Sequence, residues 1–215
     1  MQPLPLPHSF PDRQMLPFPA PSAYIKGEQG QCMYRILIFL GLLLGASAAQ
    51  ATEAGWALLR GGGQVVLLRH AFATSPQDPA NVVANDCSTQ RPLSERGRQQ
   101  ARKMGALFSA RAERTEKVFT SQYCRAIDTA ELAFRSVDTE KLPALDPVAD
   151  DEAKAKAQLD DIRKLIASWN GSGNLVLVTH LANIQALTGT SAREGEAVIV
   201  STEGDNVHVL ARIVF

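Results

Sequence analysis

Two short stretches of the 215-residue sequence end an apolar run in a histidine. Val65-Val66-Leu67-Leu68 runs into Arg69-His70, and Leu175-Val176-Leu177-Val178 runs into Thr179-His180. The chain holds four histidines, so two in the same setting need a reason. Four consecutive apolar residues fit a strand buried on both faces, as in a parallel sheet. In open α/β sheets, ligands bind beyond the carboxyl ends of such strands. If the two strands are neighbours, both imidazoles enter one cleft together with Arg69. Arg125 lies in the first turn of the helix expected after Lys117-Val118-Phe119-Thr120, and it reaches the same edge. Two arginines and two histidines with no balancing acid cluster make an electropositive pocket. Its natural guest is an oxyanion with three or more acceptor oxygens. The planar guanidinium fork suits phosphate, and the helix amino termini after residues 121 and 180 are expected to add amide donors.

The reaction follows from which groups are supplied. Metal-assisted hydrolysis fits poorly, because only two histidines are available and the arginines repel a divalent cation. The chain has no Cys-x5-Arg loop, no G-x-S-x-G elbow and no P-loop. The best-supplied nucleophile is a histidine. A neutral imidazole attacks phosphorus in line, and water then hydrolyses the phosphohistidine. The arginines stabilise the charge of the transferring group.

The motifs around these residues are specific. "LLRHAFAT" is similar to the R-H-G-x-x-T signature of the histidine phosphatase superfamily, the phosphoglycerate mutase-like clan. "PLSERGRQQARKMGALF", "VFTSQYCRAIDTAELAF" and "LVLVTHLANIQALTG" resemble three further segments of that superfamily, in its order. Together they cover about residues 64–190. The resemblance implies that His70 is the nucleophile, that Arg69, Arg125 and His180 form the phosphate pocket, and that Thr74 touches the substrate. It implies no metal and no organic cofactor. Two departures stand out. Ala71 replaces the usual glycine, where one methyl group could crowd the phosphate or shift the backbone. The superfamily's proton-donating carboxylate falls in "ALDPVADDEA", which offers Asp146, Asp150, Asp151 and Glu152; Asp146, after Leu145, is taken as the acid.

The elements that must position these groups alternate. A short helical segment, "EAGWALLR", leads through Gly61-Gly62-Gly63 into the strand 64–69. Residues 71–93 are a long loop rich in turn formers, expected to be functional or mobile. Ser94 caps a helix over 95–111 with the inward stripe Ala101, Met104, Leu107 and Phe108. Ser121 caps a helix over 122–134. A helix over 151–169 carries the stripe Leu159, Ile162, Leu165, Ile166 and Trp169, and "GSG" stops it. The strand 174–179, a helix over 181–188, and strands 196–201 and 206–214 joined by "TEGD" follow. This order predicts an α/β three-layer sandwich with a mainly parallel central sheet and an antiparallel hairpin at one edge. Arg91, Arg96 and Arg98 read as surface or helix-packing charges, with Arg91 able to border the pocket.

Lys plus Arg and Asp plus Glu are equal at 22 each, so no basic stripe argues for nucleic acid. Residues 1–32 are proline-rich and lack apolar periodicity, which predicts disorder, unless translation starts downstream at Met33. From Met33 a short positive region, "ILIFLGLLLG" and an A-x-A-like site ending at Ala51 form a signal-peptide pattern. The apolar run is shorter than the ~20 residues that span a bilayer. Cleavage after Ala51, rather than an uncleaved anchor, is therefore expected. That leaves a single domain over 52–215, exported to the periplasm or secreted and without stable membrane insertion. Cys87 and Cys124 then remain as an even pair that is either bridged or two buried thiols. The expected activity is a metal-independent phosphomonoester phosphatase acting on a small phosphorylated substrate. A phosphoglycerate mutase-like transferase and a non-catalytic phosphate- or phospholipid-binding module are the alternatives. Substrate identity and oligomeric state are not legible.

Overall fold

The computed structural model describes residues 52–215. The proline-rich segment 1–32 and the signal-like segment 33–51 lie outside the described residues. Strands β1 (Val65–Arg69), β2 (Thr115–Thr120), β3 (Thr139–Lys141), β4 (Asn174–Thr179), β5 (Ala197–Glu203) and β6 (Asn206–Ile213) form one sheet in the order β3-β2-β4-β1-β5-β6. The first four strands run parallel; β5 and β6 are antiparallel at one side, as the sequence predicts.

β1 and β4 lie at the centre and are buried on both faces, because their side chains feed two separate cores. Val66, Leu68, Val176 and Val178 meet Trp56, Leu59, Ala101, Met104, Phe108, Ala126 and Ala130. These come from α1 (52–60), α2 (Glu95–Arg111) and α3 (Cys124–Ala133). Val65, Leu67, Leu175 and Leu177 meet Ile162, Ile166, Ile184 and Leu187 of α4 (Glu152–Ser168) and α5 (Leu181–Thr188). Helices on both faces make the three layers. Each fully buried aliphatic side chain contributes about 1.5–3 kcal/mol, and that load fixes the strand pairing from which the site hangs.

Local chemistry sets the helix starts. Ser94 Oγ accepts from Gly97 N, and Asp151 accepts from Lys154 N. Gly97 is required by close approach: a Cβ there would stand 2.0 Å from the Phe72 carbonyl oxygen. That contact clamps the start of α2 onto the chain just past His70. α3 begins at Cys124, two residues later than expected, because Ser121 Oγ accepts from Tyr123 N and holds the chain in a turn first. β3 has no apolar alternation to announce it. It forms because the β2 edge is open, and Leu142 N donates to Thr120 O just beyond it. Among the described residues no helix is long and apolar enough to cross a membrane.

Candidate active site

Arg69 pairs with Thr179 in the β1–β4 register, so His70 and His180 leave the sheet side by side. Their ring centroids are 5.4 Å apart, and the two residues are only 1 % and 4 % exposed. His70 Nδ1 lies 2.8 Å from Ala71 O. A carbonyl only accepts, so Nδ1 carries the hydrogen and Nε2 keeps its lone pair. Burial holds this imidazole well below its ordinary value of 6.5. The charges of Arg125, Arg69 and Arg91 push the same way, against the bond to Ala71. A neutral histidine with an open Nε2 is the form a nucleophile needs.

Arg125 is 2 % exposed, on the first turn of α3. Its Nη2 donates to His180 Nδ1 at 3.2 Å, and its Nη1 donates to Asp78 Oδ1 at 2.9 Å. Arg69 Nη1 donates to Ala192 O at 2.7 Å, and its Nη2 lies 3.8 Å from Glu194. Arg91 joins them as a third guanidinium, buried like that of Arg125. It donates to Ser75 O and pairs with Asp78 at 3.7 Å and Glu194 at 3.9 Å. Burial disfavours charge on Arg69 and Arg125; Glu194 opposes this at Arg69 and Asp78 opposes it at Arg125. The Nε atoms of Arg69, Arg91 and Arg125 are all buried and have no hydrogen-bond partner. A buried, unmatched charged donor is costly. All three arginines act on His70, so positive charge is concentrated around that ring.

His180 is held by a defined relay. Because Arg125 donates to Nδ1, Nε2 carries the hydrogen and donates to Ser121 Oγ at 2.9 Å. Ser121 donates in turn to Asp146 Oδ1 at 2.7 Å, which also accepts from Gln122 N at 2.7 Å. Burial raises Asp146 above its ordinary range, against the bonds from Ser121 and Gln122. Burial also pushes His180 well below 6.5, followed by His70 and the three arginines. Both imidazoles are therefore neutral.

The residues expected from sequence fall as follows. Arg69, His70, Arg125 and His180 converge. Asp146 joins them only through Ser121 and His180; it makes no hydrogen bond or ion pair with His70, Arg69 or Arg125. Thr74 is exposed on the loop and tied by its backbone to Pro92 O. Ala71 is fully buried in the α2–α3 core, with its N–H on Thr129 Oγ1 at 3.0 Å and an ordinary backbone. The methyl group that replaces glycine points into packing and does not strain the chain. Cys87 and Cys124 are bridged, which ties the 71–93 loop to the start of α3 beside Arg125.

Three expectations need correction. The pocket does have balancing acids, Asp78 and Glu194. Arg91 is no surface charge: the loop folds back, Ala73 bridges Leu93, and the arginine is carried inward. The amide donors expected after residue 121 are engaged, with Gln122 N on Asp146, Tyr123 N on Ser121 and Cys124 N on Gln90 Oε1. Arg91 had one available signal, its place directly before the "PLSERG" motif. Ser121 had another, since it follows β2 as His180 follows β4. Asp78 and Glu194 had none, being loop acids without periodicity. Among the described residues no group of three or more His, Cys, Asp or Glu is placed to hold a metal ion.

An α/β sandwich with paired histidines and arginines at the carboxyl edge of its central strands defines a class of phosphoryl-handling protein. The family model described as histidine phosphatase superfamily (branch 1) matches residues 65–149 of the chain. Solved structures share the fold. The protein histidine phosphatase SixA, solved with tungstate, aligns at TM-score 0.51 and 20 % identity over 70 % of this chain and 96 % of its own. The Rv3214 product of Mycobacterium tuberculosis aligns at 0.53 and 17 %, over 69 % and 95 %. TTHB049 from Thermus thermophilus aligns at 0.51 and 18 %, over 71 % and 99 %. No curated protein sequence matches the chain.

Proposed function

We propose that the protein is a phosphomonoester phosphatase that works through a phosphohistidine on His70. The observation that carries this reading is the neutral His70 ring, its Nε2 open, beside three guanidiniums whose buried Nε–H groups lack partners. Phosphoryl oxygens accept from the guanidinium groups, and the developing charge in the transition state strengthens each bond. His70 Nε2 attacks phosphorus, the alcohol leaves, and water releases inorganic phosphate from the phosphohistidine. That SixA was solved with tungstate, a tetrahedral oxyanion, agrees with such a pocket. The chain's own side chains supply the nucleophile and the charge stabilisation. The signal-like segment and the cysteine bridge further support action outside the cytoplasm. Purified protein given an aryl phosphate should release phosphate and, on rapid quench, carry an acid-labile phosphate on His70. His70→Ala should abolish both. Full turnover by that variant would remove this reading.

A further inference from the structure

The relay through His180 leaves a chemical question, because its acid, Asp146, does not meet the arginines. Asp78 and Glu194 do, and of the two only Asp78 pairs with Arg125 beside His180. Its Oδ1 accepts from Arg125 Nη1 at 2.9 Å and lies 3.7 Å from Arg91 Nε, and its side chain is 19 % exposed. It therefore borders the unmatched Nε of Arg91 and holds Nη1 of Arg125 while keeping a path to solvent. In-line displacement sends the alcohol away from the buried His70, and Asp78 is the partly exposed carboxylate that pairs with Arg125 next to that ring. Asp146 meanwhile stands behind Ser121 and His180, its Oδ1 already taken by two donors.

Charge points the same way. Arg69, Arg91 and Arg125 face Asp78 and Glu194, three positive groups against two negative. A phosphomonoester dianion brings two more negative charges to a site with one net positive. A carboxylate and a phosphate sharing two guanidiniums cannot both stay fully ionised without cost, so the complex binds a proton between them. Resting on the phosphatase reading above, we propose that Asp78 holds that proton and is the catalytic acid that delivers it to the leaving oxygen. As His70 Nε2 bonds to phosphorus, the bond to the ester oxygen breaks and that oxygen takes the Asp78 proton. An alcohol, a phosphohistidine and the Asp78 carboxylate result. In the second half, water adds to phosphorus and gives a proton to Asp78. The nitrogen–phosphorus bond breaks, and the His70 lone pair is restored.

The test compares leaving groups. Loss of an acid harms esters of poor leaving groups and spares activated ones; loss of a mere counter-ion harms both alike. In Asp78→Asn, glycerol phosphate turnover should fall about 100-fold or more. The first-turnover release of nitrophenol from its phosphate should fall less than about tenfold. Because the returning water also loses its base, a one-per-site nitrophenol burst and an accumulated phosphohistidine should appear. Asp78→Glu, which keeps the carboxyl group on a longer stem, should recover part of the glycerol phosphate rate. Asp146→Asn should slow both esters in the same proportion. Equal losses for the two esters in Asp78→Asn, or selective loss of glycerol phosphate turnover in Asp146→Asn, would overturn the assignment. The second comparison stands even if the Asp78 variant does not fold. If the unmodified protein forms no phosphohistidine, the phosphatase reading fails; if it forms one and the ester comparison fails, only the role of Asp78 is lost.

Discussion

His70 donates its backbone N–H to the Thr179 carbonyl at 3.1 Å, one residue beyond the last rung of the β1–β4 ladder. That bond extends the parallel register past the sheet and brings two imidazoles, 110 positions apart in the sequence, to 5.4 Å. Both rings are held neutral by burial, and that has consequences for pH.

The folded-state values of both histidines are depressed below about 6.5, so in mild acid the unfolded chain binds protons that the folded chain does not. Their contribution to stability is present above the unfolded value and is lost as pH falls below it. Each neutral histidine makes stability fall by up to about 1.4 kcal/mol per pH unit there. Urea unfolding between pH 7.5 and 5 should show this slope, and His180→Asn should flatten it. An unchanged slope in that variant would argue against a buried neutral ring. By the same logic, activity should persist below pH 6.5 rather than titrate away there.

Arg91 should matter as a fork and not only as a charge. Arg91→Ala should lower kcat/KM for aryl phosphates by roughly 100-fold, the scale of losing one donor to a developing oxyanion. Arg91→Lys should recover little, because lysine cannot span Ser75 O, Asp78, Glu194 and an anion together. Near-complete recovery by lysine would reduce Arg91 to a source of field.

The Cys87–Cys124 bridge joins the loop bearing Asp78 and Arg91 to the helix bearing Arg125. Replacing both cysteines with alanine should cost about 2–4 kcal/mol in unfolding free energy. It should also raise KM more than it lowers kcat, since the loop's seat is loosened while His70 stays in place. Mild reduction of the unmodified protein should reproduce both shifts, and a purely thermal effect would separate the bridge from the site.

Ser121→Ala leaves His180 Nε2–H and the Asp146 carboxylate without their shared partner. A loss of about 1–3 kcal/mol is expected, together with weaker inhibition by vanadate as His180 and Arg125 lose their fixed orientation. Retained vanadate affinity would make the relay structural alone.

Ala71→Gly restores the glycine of the R-H-G-x-x-T signature, but the alanine methyl is buried in the α2–α3 core. The change should cost about 1–2 kcal/mol through lost burial and added unfolded-state entropy. It should not raise kcat, and a clear gain in rate would place the methyl against the phosphate after all.

The sequence by itself determined the two central strands, because a run of four apolar residues can be satisfied only where both faces are covered. It also determined the histidines at their ends, and the helices whose stripes and caps, such as Ser94 and Asp151, are written within a few neighbouring residues. Arg69, His70, Arg125 and His180 were legible because each is fixed to an element end by local sequence. Only the tertiary structure decided what the loops do. Arg91, Asp78 and Glu194 lie on irregular chain, where no periodicity says which way a side chain faces. Their meeting depends on the Cys87–Cys124 bridge, the Ala73–Leu93 pairing and the packing of Gly195 N against the His70 carbonyl. Those are long-range contacts, and the charge balance of the pocket is a property of their sum. A linear reading therefore found the cations that attract a phosphate and missed the carboxylates that sit among them.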